Sequence, residues 1–202
     1  MKPLFNNRYK TDSQRLAGWD YGSNAAYFVT ICTRHRLYYF GDIHEERMHV
    51  NDLGSLANRV WLQIPDKFPY ARLGEFIIMP NHVHGIIIID KPDVAEAQLE
   101  DVQGPVETRL IASLPSLQLS SPQPKISPGG VTGKHNPMLQ DNLSRIVRWY
   151  KGRSTFEVRK INPDFGWQTL FHDHIIRNDS SYRRIANYII NNPATWAEDS
   201  LR

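Results

Sequence analysis

The sequence predicts an α+β fold: a ferredoxin-like sandwich, an antiparallel sheet with helices on one face, plus a C-terminal helix that carries an off-stripe tyrosine. Three observations lead there. Strand-like runs alternate with helical stripes in the order β-α-β-β-α-β-α. The run His82–Asp90 is apolar on both faces beyond Gly85, as a strand central in its sheet requires. A tight turn at Pro80-Asn81 joins it to the preceding apolar run, Gly74–Met79, as a neighbouring strand.

Each element has a local reason. Tyr27–Thr33 is rich in aromatic and β-branched residues and reads as the first strand, with a continuation through Leu37–Phe40 after a polar turn at Arg34-His35-Arg36. Asn51 is placed to cap a helix whose Leu53, Leu56, Ala57, Val60, Trp61 and Ile64 form one stripe that Pro65 ends. Asn142 caps a second helix with Leu143, Ile146, Val147 and Tyr150 on one face. Trp167–Ile176 reads as the last strand. Ser180 or Ser181 then caps a final helix with Tyr182, Ile185, Ala186, Ile189 and Ile190 inward, ending near Pro193.

Residues 25–90 and 141–202 are thus expected to form a single domain, preceded by an extension over 1–24. The intervening 91–140 holds seven of the thirteen prolines and lacks periodicity, so it is expected to be a flexible insertion, with Thr108–Leu119 as a short docked piece. No apolar run approaches the roughly 18–20 residues of a membrane span, and the start has no apolar stretch of signal-peptide type. The lone Cys32 excludes an intrachain disulfide and a Cys-based zinc site, which makes a cytoplasmic location the default expectation. Net charge is only +3, yet Arg145, Arg148, Lys151, Arg153, Arg159 and Lys160 face a single Glu157. Such a block either tracks phosphates or forms a solvated helix face.

The most informative motif is His82-Val83-His84. Side chains alternate along a strand, so both imidazoles project from one face, close enough to share an ion. Spacing alone leaves open a metal site or two ordinary histidines. A second pair, His172-Asp173-His174, has the same spacing among charged neighbours, where imidazoles are usually solvated. Cys32 in an apolar strand reads as core, and no serine elbow or phosphate-binding glycine loop is present. Among tyrosines, Tyr150 falls near the centre of its helix's apolar stripe. Tyr188 lies about 110° from the centre of its own, free to face a cleft, with Asn192 one turn further on the same side. Tyr188 is therefore the better nucleophile candidate.

Five blocks recur in order over roughly residues 25–195: Met79-Pro80-Asn81-His82-Val83-His84, Ile146–Lys151, Trp167-Gln168, His174–Arg177 and Ile185–Pro193. On these the sequence resembles the Y1 tyrosine (HUH-type) transposases of small insertion sequences, most of all the branch associated with repetitive extragenic palindromes. The resemblance implies a divalent ion, Mg²⁺ or Mn²⁺, held by His82, His84 and Asn192. It implies Tyr188 as the nucleophile that cleaves and rejoins single-stranded or hairpin DNA through a 5′-phosphotyrosine. Arg148, Lys151 and Arg153 would contact phosphates, Trp149 would stack on an unpaired base or serve as a structural residue, and Arg177 would lie near the metal edge of the sheet or form a surface salt bridge. Relatives of this fold often form homodimers, although the sequence carries no decisive interface signal. Two rival readings are a DNA-binding protein of the same fold without cleavage activity, and a His-dependent metal phosphoesterase in which Tyr188 is structural.

Overall fold

The computed structural model describes residues 16, 18–92 and 140–202. In chain order these form β1 (Ala25–Cys32), β2 (Gly41–His44), β3 (Arg47–Val50), α1 (Asp52–Leu62), the short α2 (Ile64–Lys67), β4 (Ala71–Met79), β5 (His82–Ile89), α3 (Leu143–Val158), β6 (His172–Ile176) and α4 (Asp179–Asn191). A 3₁₀ segment, Asn192–Glu198, follows. The main sheet has the order β4-β5-β1-β6 with every neighbour antiparallel, and β2 and β3 form a separate hairpin. With the hairpin set aside, this is the predicted ferredoxin-like sandwich.

β5 is central, as its two-sided apolarity requires, and its alternation divides the molecule. Val83, Ile87 and Ile89 join Tyr27, Val29 and Ile31 under α1 and α3, in a core that also holds Trp61, Ile146, Val147 and Tyr150. Ile86 faces the other way, against Ile185, Ala186 and Ile189 of α4 and Ile176 of β6. Each fully buried isoleucine contributes about 1.5–3 kcal/mol relative to exposure. A strand flanked on both faces is therefore the least replaceable element of the fold.

Asn51 caps α1 through a bond from Gly54 N, and Asn142 caps α3 through one from Arg145 N, as expected. Trp19 and Tyr21, within the expected extension, reach the core: Trp19 Nε1 donates to Tyr27 Oη, and the Tyr21 and Tyr27 rings stack at 5.8 Å. The expected insertion from residue 93 to 139, with Thr108–Leu119, lies outside the described residues. No helix among the described residues is long and apolar enough to cross a membrane.

Several local expectations are corrected. Leu37–Phe40 is not strand: Leu37 and Tyr38 are exposed, and the backbone N–H groups of Tyr39 and Phe40 are both taken by Pro80 O. The β2–β3 hairpin was missed because its turn residues, Glu45 and Glu46, adopt φ of 50° and 59° without the Asn-Gly or Asp-Gly signature that makes such turns easy. Pro65 does not end the helical region; it sits in the first turn of α2, where its missing N–H costs nothing. Only His172–Ile176 of the last predicted strand pairs with β1, while Trp167 makes a single bridge with Thr33. α4 is capped by Asn178, which accepts from Ser181 N, and Ile190 is exposed rather than inward.

Gly85 is fixed by a close approach. A Cβ there would lie 2.3 Å from Cζ2 of Trp61, a fully buried ring with no room to retreat. Gly85→Ala is expected to destabilise the protein by about 1–3 kcal/mol through overpacking, read as a lowered midpoint of thermal unfolding.

Candidate functional site

His82 and His84 lie on the α4 face of β5, paired across to Cys32 and Thr30 of β1. Both are almost wholly buried, with ring centroids 4.3 Å apart. Burial is the main force on their protonation. It lowers His82 to about 3, helped by the positive charge of Arg36. It lowers His84 likewise to about 3, helped by His82 and opposed by Asp199. Both rings are therefore neutral at neutral pH, the form that offers a lone pair to an ion.

Hydrogen bonds decide which nitrogen is offered. Asn81, fully buried, spends its amide N–H groups on Leu201 O at 2.6 Å and Arg36 O at 3.3 Å. Its Oδ1 is left to accept from His82 Nδ1 at 2.7 Å. That fixes the proton on Nδ1 and leaves Nε2 as the bare lone pair. Thr30 Oγ1 lies 2.9 Å from His84 Nδ1. In the tautomer that donates to Thr30, His84 Nε2 is likewise an acceptor, and it lies 3.3 Å from the Tyr188 hydroxyl.

The remaining groups come from the C-terminal elements. Ile185, Ala186 and Ile189 bind α4 to the sheet, and Tyr182 Oη donates to Glu75 of β4 at 2.9 Å. Tyr188, off that stripe, is 44% exposed as a residue, and its ring stands edge-on to Phe28 and His84. Its phenol is raised above the usual value by burial and by the charge of Asp199, against a lowering hydrogen bond to Asn192. Tyr150, by contrast, is fully buried, donates to Ala57 O at 3.3 Å, and is pushed far up by burial alone.

Asn192 is buried beside Asp199, its Nδ2 donating to Asp199 Oδ2 at 3.3 Å. His82, His84 and Asp199 each offer a ligating atom, all within 4.8 Å of one another. The buried His82 Nε2 and Asn192 Oδ1 have no hydrogen-bond partner among the described residues. Two neutral imidazoles, a carboxylate and an unpaired amide oxygen form a mixed nitrogen and oxygen set, compatible with a divalent ion.

Asp199 and Asn81 were not singled out by sequence reasoning. Asp199 lies beyond Pro193 in a stretch without a periodic stripe, so no spacing rule reaches it. Asn81 stood inside the motif but read only as a turn residue. The second histidine pair stays at the edge: His172 and His174 are exposed on β6 and belong to no three-residue ligating group among the described residues.

Of the expected DNA contacts, Arg148 and Lys151 line one cleft beside α3, and Trp149, Arg153 and Arg177 lie outside its lining. α3 packs on the face opposite the histidines. Arg148 is exposed, while Lys151 donates to Gln168 O at 2.5 Å and Thr169 O at 3.1 Å. Arg153 pairs with Glu157 at 2.7 Å. Trp149 stands edge-on to Phe68 at 5.7 Å and packs against the core. Arg177 is exposed directly after β6, beyond the Ile176–Ala26 pair at the end of the sheet opposite the His82–Cys32 pair, so it does not lie at the metal edge.

The sheet, its two helical faces and the tyrosine-bearing helix have the fold of a single-tyrosine transposase. A solved structure, that of a REP-associated tyrosine transposase bound to a REP hairpin, matches 90% of this chain and 74% of its own with a TM-score of 0.51 at 15% identity. The chain belongs to the same family as an uncharacterized protein of Haemophilus influenzae, 37% identical over 190 residues that cover 94% of this chain and 91% of the relative. No protein-family model matches.

Asn81→Ala would leave the Leu201 and Arg36 carbonyls and the His82 Nδ1–H unpaired together. A loss of at least about 2 kcal/mol is expected, read as a lower urea midpoint with an unchanged slope.

Proposed function

We propose that the protein is a metal-dependent single-tyrosine transposase or endonuclease that cleaves and rejoins single-stranded DNA at a hairpin or palindromic site. The observation that carries this reading is the 3.3 Å approach of the Tyr188 hydroxyl to His84 Nε2, beside the buried and unpaired His82 Nε2 and Asn192 Oδ1. The position of Asp199 supports it as a fourth member of the set.

His82, His84 and Asn192, joined by Asp199, would hold the ion, with Mg²⁺ or Mn²⁺ as the family resemblance implies. When bound, such an ion supplies positive charge that polarises a phosphodiester oxygen and lowers the cost of the Tyr188 phenolate. Tyr188 Oη attacks phosphorus, the P–O3′ bond breaks, and the phenolic proton ends on the released 3′-oxygen. The product is a 5′-phosphotyrosine and a free 3′-hydroxyl. Because the phosphodiester is stored on Tyr188, a second 3′-hydroxyl reverses the step and joins a new end without an external energy source. Asn81 and Thr30 keep the two imidazoles aimed while this happens.

The test is incubation with labelled single-stranded hairpin DNA and Mn²⁺ or Mg²⁺, followed by a denaturing gel. A covalent adduct is expected from the natural protein and from Tyr150→Phe. None is expected from Tyr188→Phe, from His82→Ala, or with chelator. An adduct that survives in Tyr188→Phe overturns the assignment. DNA binding without any adduct favours a non-cleaving binder, and hydrolysis of small phosphoesters by Tyr188→Phe favours a phosphoesterase.

A further inference from the structure

α4 is held to the sheet largely by apolar side chains, Ile185, Ala186 and Ile189 against Ile86 and Ile176. Apolar contact is non-directional, so it makes the helix dock but leaves its roll about its own axis loosely set. Roll matters at a reacting atom. At the rim of a helix, about 5–6 Å from the axis, a roll of about 10° moves an atom by about 1 Å. A misplacement of that size can cost about a hundredfold in rate.

A directional contact lies six residues before Tyr188, about 9 Å back along the axis, where Tyr182 Oη donates to Glu75 Oε2 at 2.9 Å. β4 is built to make it. The pairing of β4 with β5 shifts between Leu73–Ile87 and Phe76–Gly85, so Gly74 and Glu75 together stand opposite Ile86. Leu73 and Phe76 both pack against the core under α1 and α3. In an unbroken strand Glu75 would share the side of Leu73. The extra residue, a β-bulge, brings the carboxylate round to α4 instead, and such re-aiming is what bulges supply beside functional sites. Gly74 makes the room, since a Cβ there would lie 2.5 Å from Tyr182 Oη and 3.0 Å from Ile86 Cβ. Burial and the bond to Glu75 both raise the Tyr182 phenol above its usual value, so the hydroxyl keeps the proton that it donates.

We propose that Tyr182, held by Glu75 across Gly74, is a positioning residue for cleavage: it sets the roll of α4 and so the place of the Tyr188 hydroxyl beside His84 Nε2. The two tyrosines lie about 120° apart around one helix, so a bond that fixes one azimuth fixes the other. The proposal rests on the reading of Tyr188 as the nucleophile.

Two readouts test it, and one needs no DNA. The first is the rate of adduct formation with saturating labelled hairpin DNA and Mn²⁺, below the thermal midpoint of each variant. Tyr182→Phe is expected to slow it by about tenfold to a hundredfold while hairpin affinity stays unchanged. Glu75→Ala should be similarly slow, and Glu75→Gln, which keeps an acceptor oxygen, should retain most of the natural rate. Because the two groups form one contact, Tyr182→Phe combined with Glu75→Ala should be about as slow as either alone. The second readout is the ¹⁹F resonance of 3-fluorotyrosine placed at position 188 in DNA-free protein. It should shift in Tyr182→Phe and stay in place in Glu75→Gln.

If the natural protein forms the adduct while Tyr182→Phe changes only the thermal midpoint, with rate and resonance unmoved, the proposal is overturned and the cleavage reading stands. Losses that multiply in the double variant also overturn it, as does a fall in hairpin affinity in place of rate, which would make Tyr182 a DNA contact. Should the natural protein form no adduct, the cleavage reading falls and the resonance alone decides. A shift in Tyr182→Phe then keeps the seating of α4, and no shift overturns it.

Discussion

Burial of β5 on both faces ties the fold to the site. Its odd-numbered side chains belong to the core under α1 and α3, and its even-numbered ones to the face that α4 covers. A slip of one residue against β1 would exchange these sets, driving His82 and His84 into the large apolar core and Ile87 out of it. The register Cys32 with His82 and Thr30 with His84 is thus held by every isoleucine of the strand at once. The imidazoles sit in fixed places because the cost of moving them is spread over the whole sheet.

A second layer of constraint acts on the rings themselves. Arg36, in the left-handed conformation at φ 54°, offers its carbonyl to Asn81 while its guanidinium Nη1 donates to Ser200 O at 2.8 Å. Asn81 also donates to Leu201 O, so the turn after β1, the turn before β5 and the C-terminal segment meet at one buried amide. Leu201 N in turn donates to Asp199 Oδ1 at 2.7 Å. The same knot that sets the proton on His82 places the carboxylate beside it, so electrostatics and geometry at this end of the sheet are not independent.

What the sequence made legible was whatever periodicity and capping express. The stripes of α1, α3 and α4, the caps Asn51 and Asn142, the turn at Pro80-Asn81 and the centrality of β5 all follow from local patterns that tertiary contacts reinforce. The off-stripe position of Tyr188 was legible for the same reason, since a helix turns every residue by a fixed angle. Elements held by unusual backbone were not. Glu45 and Glu46 turn the β2–β3 hairpin at positive φ without the residues that normally mark it. Asp199 reaches the histidines through a non-periodic 3₁₀ segment, and Asn81 acts through carbonyls distant in sequence. Long-range hydrogen bonds to backbone leave no trace in residue spacing.

α4 is moored by an apolar cluster of its own, on the side of the sheet away from the larger core. Two clusters of unequal size on one sheet make cooperative units of unequal depth, and the smaller sets the free energy of lifting its helix. Tyr188 therefore rides on a shallower unit than the strand beneath it. On that basis its hydroxyl is expected to part from His84 more readily than the two imidazoles part from each other. The few isoleucines under α4 thus act as a setting for how often the tyrosine departs, adjustable by a methyl group at a time without disturbing the sheet.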